Sequence, residues 1–384
     1  MNSIVFKNAR LVMAGEVVSG SLSVEDGRIQ SFDHGESSLA SAIDLDGDLL
    51  MPGFIEIHTD NFERHLVPRP KVNWPSLPAL LAHDAEVAAA GITTVFDALG
   101  VGDIEHDSLR GTNMDSVVQA IDDCSERNIL RADHYFHVRA EVPAPNAVEL
   151  FHAFEQHPRL KLISVMDHTP GQRQWENIDV ARVYYTGKKG WSLEKFQRQV
   201  EHSNSIRAQY AVPHREYFVA YCREHGVPLA SHDDTTLEHV QQAHAEGAAI
   251  SEFPTTVLAA RAAREMGLST VMGGPNVVRG GSHSGNVAAA ELAGHGLLDM
   301  LSSDYVPGSL LTAVMKLVDL ELMDLPTATS LVTSRPAQAC GLNDRGLLEA
   351  GRRADLIQVR RVELSDGSHH GVVRAAWRQG MRVL

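Results

Sequence analysis

Met51–Asp60 reads MPGFIEIHTD. A proline-glycine break feeds an apolar run that ends in His58 and Asp60, an imidazole and a carboxylate two residues apart. In an extended strand such positions face the same side. Both side chains can therefore converge on one cation at roughly 2.0–2.2 Å, the range of nitrogen and oxygen ligands of zinc. A His-x-Asp at a strand end also serves as a surface or hydrogen-bonded pair, so its meaning depends on what ends the other apolar runs.

Seven further runs follow: Thr93–Ala98, His134–Ala140, Lys161–Asp167, Pro228–Ser231, Ala249–Phe253, Ser269–Met272 and Asp299–Ser303. With Gly53–His58 they make eight, and helical stretches separate them, among them Leu77–Ala90, Leu193–Gln209, Arg215–His225 and Leu237–Glu246. Strand-like runs alternating with longer helices indicate parallel βα units. Eight such units predict an α/β fold, a closed (β/α)8 TIM-like barrel over residues 51–352, with a doubly wound open sheet as the alternative. The flanks, residues 1–50 and 353–384, are short β-rich pieces with turn signals such as Asp26-Gly27. Neither set stands alone, since isolated hairpins are marginal, so one small β-sandwich domain built from both termini is expected. The polar, aromatic and basic connection Thr169–Ser192 has the length of a lid or binding loop.

Active-site groups of a barrel sit at the carboxyl ends of its strands. The first run ends with His58 and Asp60, the third with Glu141, the fourth with His168, the fifth with His232 and the eighth with Asp304. Three imidazoles and three carboxylates suit zinc, manganese or a related divalent ion. Two ions can share the set if one carboxylate bridges them, and Glu141 is the best placed bridge. Lys161 begins its strand, at the opposite face. Taken singly, each residue has an ordinary alternative: Asp233 or Asp304 can cap the following helix, and His168 can be a loop histidine.

The 384 residues include 49 acidic and 34 basic side chains, a net charge of -15 that argues against nucleic-acid binding. Cys124, Cys222 and Cys340 lie far apart, which suggests neither a disulfide framework nor a cysteine zinc site. No run of about 18 apolar residues occurs, and the first residues show no cleavable apolar leader. The expectation is a cytoplasmic protein with no membrane partner.

PGFIEIHTD followed by strand-end Glu, His, His and Asp resembles the amidohydrolase superfamily. Members usually carry His-x-His on the first strand, so Asp60 is a departure, and the later histidines fall here on strands four and five rather than five and six. HTDNFERHLVPRPKVNWP, SVMDHTPGQRQ, ASHDD, SEFPTT, GGPNVVRGGSHSGNVAA, SSDYVP and WRQG are similar, in order, to those members that act on a ribose 1-methylphosphonate 5-triphosphate in the carbon-phosphorus lyase pathway. The resemblance implies hydrolysis at the α-phosphorus with release of pyrophosphate and two divalent ions, zinc before manganese. Asp304 is then the expected general base. A polyanionic substrate also needs cations and backbone donors. Candidates are Arg279 with Ser282, His283, Ser284 and Asn286 in the glycine-rich stretch, Arg173 after His168, Arg69 with Lys71 after the first ligand pair, and Arg139 two residues before Glu141. Lys188 and Lys189 fit a lid or a solvated tip. The rival readings are another amidohydrolase reaction on a C–N bond and a non-catalytic phosphoester-binding barrel. A homo-oligomer is compatible with either.

Overall fold

The computed structural model describes residues 3–35, 37–69, 71–103, 114–188, 190–282 and 285–384. His283, Ser284 and Lys189 fall outside them. Sixteen strands are described: β1 Ser3–Val12, β2 Val17–Glu25, β3 Arg28–Asp33, β4 Ile43–Asp44, β5 Leu49–Pro52, β6 Phe54–Thr59, β7 Ile92–Val101, β8 Asp133–Glu141, β9 Leu160–Met166, β10 Leu229–His232, β11 Ile250–Glu252, β12 Ser269–Gly273, β13 Met300–Ser302, β14 Leu356–Glu363, β15 His369–Arg378 and β16 Met381–Arg382.

Strands β6 to β13 lie side by side in chain order, all parallel. The first and last meet through a parallel bridge between Thr59 and Asp304. There Asp304 donates its N–H to the His58 carbonyl and Asp60 donates to the Asp304 carbonyl, both at 3.1 Å. The sheet thus closes into the expected (β/α)8 barrel. Strands of a parallel barrel are covered on both faces, and every residue of β6 and β7 is buried. Ile57, Phe96, Leu162, Ala230, Ile250, Val271 and Met300 fill the interior. At the entry of β6, a Cβ on Gly53 would stand 2.2 Å from Thr93 Oγ1, so only glycine lets β6 start this close to β7. All eight strands read from the sequence are present, which puts His168 after the fourth and His232 at the end of the fifth.

The terminal strands form one sheet, ordered β16-β15-β14-β5-β1-β2-β3 with β4 beside β1. β5 pairs parallel with β1 and antiparallel with β14, so it joins the two ends of the chain just before Gly53. Phe6 and Trp377, ring centroids 4.8 Å apart and edge to face, centre this sheet's own core.

Two expectations change between β9 and β10. The connection Thr169–Ser192 is not loop throughout. It contains a 3-10 turn, Arg173–Trp175, and a helix, Ile178–Lys188, packed with Phe196 into a separate cluster around Trp175 and Ala181. The helices anticipated as Leu193–Gln209 and Arg215–His225 are one 33-residue helix, Leu193–His225, with Pro213 inside it. Proline removes one helical hydrogen bond. Burial of Ala211, Phe218, Val219, Tyr221 and Cys222 on the barrel core outweighs that loss.

Candidate active site

The mouth of the barrel at the strand carboxyl ends holds a cavity of about 190 Å³ lined by His58, Arg139, His168, Gln174, His232, Asp233, Arg279, Ser282, Asn286, Asp304 and Tyr305, among others. Beneath it lies a carboxylate absent from the sequence-derived set. Glu252, the last residue of β11 and fully buried, accepts His58 Nδ1 on Oε1 at 3.1 Å and His232 Nδ1 on Oε2 at 3.2 Å. Ser164 Oγ donates to the same Oε2 at 2.5 Å and lies 2.5 Å from His137 Nε2. Burial alone would raise the Glu252 carboxyl, but the His58 and His137 imidazoles and the hydrogen bonds hold it well below the usual carboxylate range. Burial pushes His137 itself down to about 3. A neighbouring buried carboxylate, Glu56, accepts the backbone N–H of His58 at 2.6 Å and of Ser303 at 2.5 Å, which locks β6 to β13 directly under the mouth.

His168 is oriented the same way. Glu141 Oε1 accepts its backbone N–H at 2.9 Å and Glu141 Oε2 meets its Nδ1 at 2.5 Å. Both oxygens of Glu141 are thus engaged by one histidine, an arrangement that orients His168. In all three histidines Nδ1 faces a carboxylate. Among the described residues no hydrogen bond occupies any of their Nε2 atoms, although His168 and His232 each place Nε2 3.7 Å from Asp233 Oδ2.

This is the arrangement in which histidines bind metals: one ring nitrogen is held by a carboxylate and the other presented to the ion. Two overlapping groups could hold a metal ion, His58–His232–Glu252 and His168–His232–Asp233, the ligand atoms of each lying within 4.8 Å of one another. Among the described residues Asp60 Oδ1 is buried without a hydrogen-bond partner, a costly state that a cation would relieve. The donor set therefore fits divalent ions. Asp233 and Glu252 are absent from the sequence-derived set, although Glu252 closes ISE of the sixth run and Asp233 directly follows His232.

Asp304 lies beside this cluster, its carboxyl raised to about 6 by burial and by Asp60, against the pull of His58 and Arg139. Its backbone is left-handed, φ +54, as are those of Asp233 at +55 and Phe253 at +53. Such conformations cost about 1–3 kcal/mol per residue and gather at functional sites. At Asp304 the surroundings hold the conformation in place: Thr59 Oγ1 donates to the Asp304 carbonyl at 2.8 Å, and Arg64 Nη1 to the Tyr305 carbonyl at 2.6 Å.

Of the expected anion contacts, Arg279 and Ser282 line the cavity with Asn286, and Arg279 is exposed with no ion pair among the described residues. Its stretch is not a loop but a short helix, Gly274–Arg279, ended by Gly280 at φ +80. Arg139 also lines the cavity while donating to Glu63 at 3.1 Å. Arg173 does not belong there. Its buried guanidinium bonds Asp234 and, at 3.3 Å, Gln242. Arg69 and Lys71 are exposed and outside the cavity lining, Lys71 at a turn with φ +64. No helix among the described residues is long and apolar enough to cross a membrane.

The sequence profile of the amidohydrolase family matches residues 205–383. A protein of Escherichia coli (strain K12) named alpha-D-ribose 1-methylphosphonate 5-triphosphate diphosphatase is 45% identical over 382 residues, 99% of this chain and 100% of that one. The chain belongs to the amidohydrolase family. Solved structures with the fold of this amidohydrolase include N-acetyl-D-glucosamine-6-phosphate deacetylase from Mycobacterium smegmatis, with a TM-score of 0.64 at 16% identity over 99% of this chain and 100% of that one. Another is the 5-methylcytosine deaminase from Klebsiella pneumoniae liganded with 5-fluorocytosine, at 0.62 and 16% over 100% and 97%. At such identities the likeness is one of fold.

Proposed function

We propose that this amidohydrolase hydrolyses alpha-D-ribose 1-methylphosphonate 5-triphosphate to the 5-phosphate and pyrophosphate. The observation that carries the reading is the 45% identity to the Escherichia coli diphosphatase along essentially the full length of both chains. The mouth of the barrel supports it, because it combines a metal-fitting cluster with Arg139 and with Arg279, which has no ion pair among the described residues, in one cavity. That mixture suits a small polyanion better than a neutral ring with a C–N bond.

His58, Asp60, His168, His232 and Asp304, joined by Asp233, would hold two divalent ions while Glu252 and Glu141 orient the imidazoles, and three imidazoles favour zinc over manganese. Bound there, such ions supply Lewis-acid polarisation of a phosphoryl oxygen and a lowered pKa for nearby water. Asp304, raised to about 6, is still mostly ionised at neutral pH and basic enough to take a proton from the attacking water. The water oxygen bonds to the α-phosphorus, the bond from that phosphorus to the bridging oxygen breaks, and pyrophosphate leaves with the bond's electron pair. Arg279, Ser282, Asn286 and Arg139, all lining the cavity, neutralise and orient the phosphate groups; His283 and Ser284 belong to the same proposal from sequence alone. The β-rich termini, residues 1–50 and 353–384, act as a supporting domain for the barrel of residues 51–352, and the enzyme works in the cytoplasm on a small molecule.

The test is product analysis by phosphorus NMR on metal-loaded protein. One pyrophosphate per 5-phosphate is expected, with activity lost on chelation and restored by zinc or manganese. Orthophosphate as the first product, or ammonia release from cyclic amides without triphosphate turnover, would overturn the proposal.

A further inference from the structure

Between β9 and β10 the chain leaves the barrel, builds its own small cluster around Trp175, Ala181 and Phe196, and returns along the helix Leu193–His225. Two arginines of this excursion reach back to the mouth of the barrel. Arg207 Nε donates to Asp167 Oδ2 at 2.6 Å, and Asp167 Oδ1 accepts the backbone N–H of Thr169 at 3.1 Å. One carboxylate thus spans His168 from the residue before it to the residue after it. On the next loop Arg173 Nη1 donates to Asp234 Oδ1, while Asp234 Oδ2 accepts Ser231 Oγ at 2.5 Å and Ser251 Oγ at 2.9 Å. Ser231 and Asp234 flank His232 and Asp233 as Asp167 and Thr169 flank His168.

The two brackets share one construction. In each, an aspartate side chain closes a turn around a candidate ligand, and an arginine from the excursion neutralises and aims that aspartate. We infer that Arg207 and Arg173 are positioning residues: the excursion between the fourth and fifth strands fixes the imidazoles of His168 and His232 through these two brackets. The inference rests on the reading of both histidines as metal ligands in the proposed function.

The chemistry gives the brackets a consequence beyond stability. The Nε2 atoms of His168 and His232 serve one centre from the ends of neighbouring strands, so their separation is set by where the two backbone segments stand. A turn carboxylate deprived of its guanidinium turns toward water, and the histidine it spans gains freedom that ion binding must then remove. Arg207 suits the test because its side chain is 35% exposed, so its truncation opens the mostly buried Asp167 carboxylate to water. Truncating Arg173 would strand Asp234, which is fully buried.

The experiment measures zinc affinity of the full-length protein by competition with a chromophoric chelator, alongside thermal unfolding, for wild type, Arg207→Ala, Arg207→Lys and Asp167→Asn. Outer partners of metal-binding histidines typically contribute about 10- to 100-fold in affinity. Arg207→Ala is expected to bind zinc about tenfold more weakly at nearly unchanged melting temperature, and Arg207→Lys to regain most of the loss. Asp167→Asn, whose amide oxygen can still accept from Thr169, should match Arg207→Ala and carries the test if that variant fails to fold. Wild-type affinity in Arg207→Ala or in Asp167→Asn, or no zinc binding by the wild type, overturns the inference. Tight zinc binding by a wild type that leaves the triphosphate intact would defeat the proposed reaction and leave the positioning role supported by the affinity series.

Discussion

The imidazoles of His58 and His232 lie nearly parallel, ring planes 22° apart and centroids 5.6 Å apart, because the two oxygens of Glu252 hold one Nδ1 each. One buried carboxylate thus sets two candidate ligands contributed by strands far apart in the barrel.

Glu252→Gln follows from that pairing. An amide keeps one acceptor but turns the other position into a donor, which cannot satisfy both imidazoles in their present tautomers. Bound metal after dialysis against a weak chelator should fall, with affinity reduced about 10- to 100-fold. Elemental analysis showing wild-type metal content would remove Glu252 from the centre.

Asp304→Asn tests the proton acceptor. Asparagine tolerates positive φ almost as readily as aspartate, so the left-handed backbone at +54 should persist. Turnover of the triphosphate should drop by about 10²–10⁴ with an unchanged circular dichroism spectrum. Near wild-type rates would reject the base role.

Arg279→Ala should weaken binding of the triphosphate by about tenfold, or ~1.4 kcal/mol, and leave a neutral nucleoside unaffected. Calorimetric titrations with the two ligands make the comparison. Equal losses for both would exclude an anion-binding role.

A second buried network predicts a pH effect on stability. His83 Nε2 and His134 Nδ1 each lie 2.8 Å from an oxygen of Asp97, and Asp84 lies 3.4 Å from His134 Nε2. Burial opposes charge on His134, yet Asp97 and Asp84 raise its imidazole to about 9. A folded-state pKa above the unfolded value means stability that is fully present below about 6.5 and lost as pH rises through about 9. The melting temperature of wild type should therefore exceed that of His134→Gln most at pH 6, and the gap should narrow toward pH 9. A gap that widens with pH would contradict the assignment.

The barrel was legible because its strands are covered on both faces, which writes most of them as short, largely apolar runs between helices, and because the functional rim of such a barrel is where those runs end. That rule singles out His58, Asp60, His168, His232 and Asp304 as candidates, which the structure gathers at one mouth, and applied to the sixth run it also points to Glu252. Arg173 misled for the opposite reason. It stands five residues after His168 in sequence, but its charge is used by Asp234 on another loop, and no local pattern encodes that partner. Leu193–Gln209 and Arg215–His225 read as two helices, but packing carries one helix through Pro213, whereas Pro275 near the start and Gly280 just after GPNVVR mark a helix in a glycine-rich stretch.

β5 has a consequence for the order in which the molecule assembles. Its two neighbours come from opposite ends of the chain, β1 already synthesised and β14 more than 300 residues later. During translation the edge of β5 facing β14 stays open until residues 356–363 leave the ribosome. The strand that leads into the first ligand pair is therefore among the last to gain its full set of backbone partners, and a nascent chain stalled before Leu356 would expose an edge able to pair with another copy.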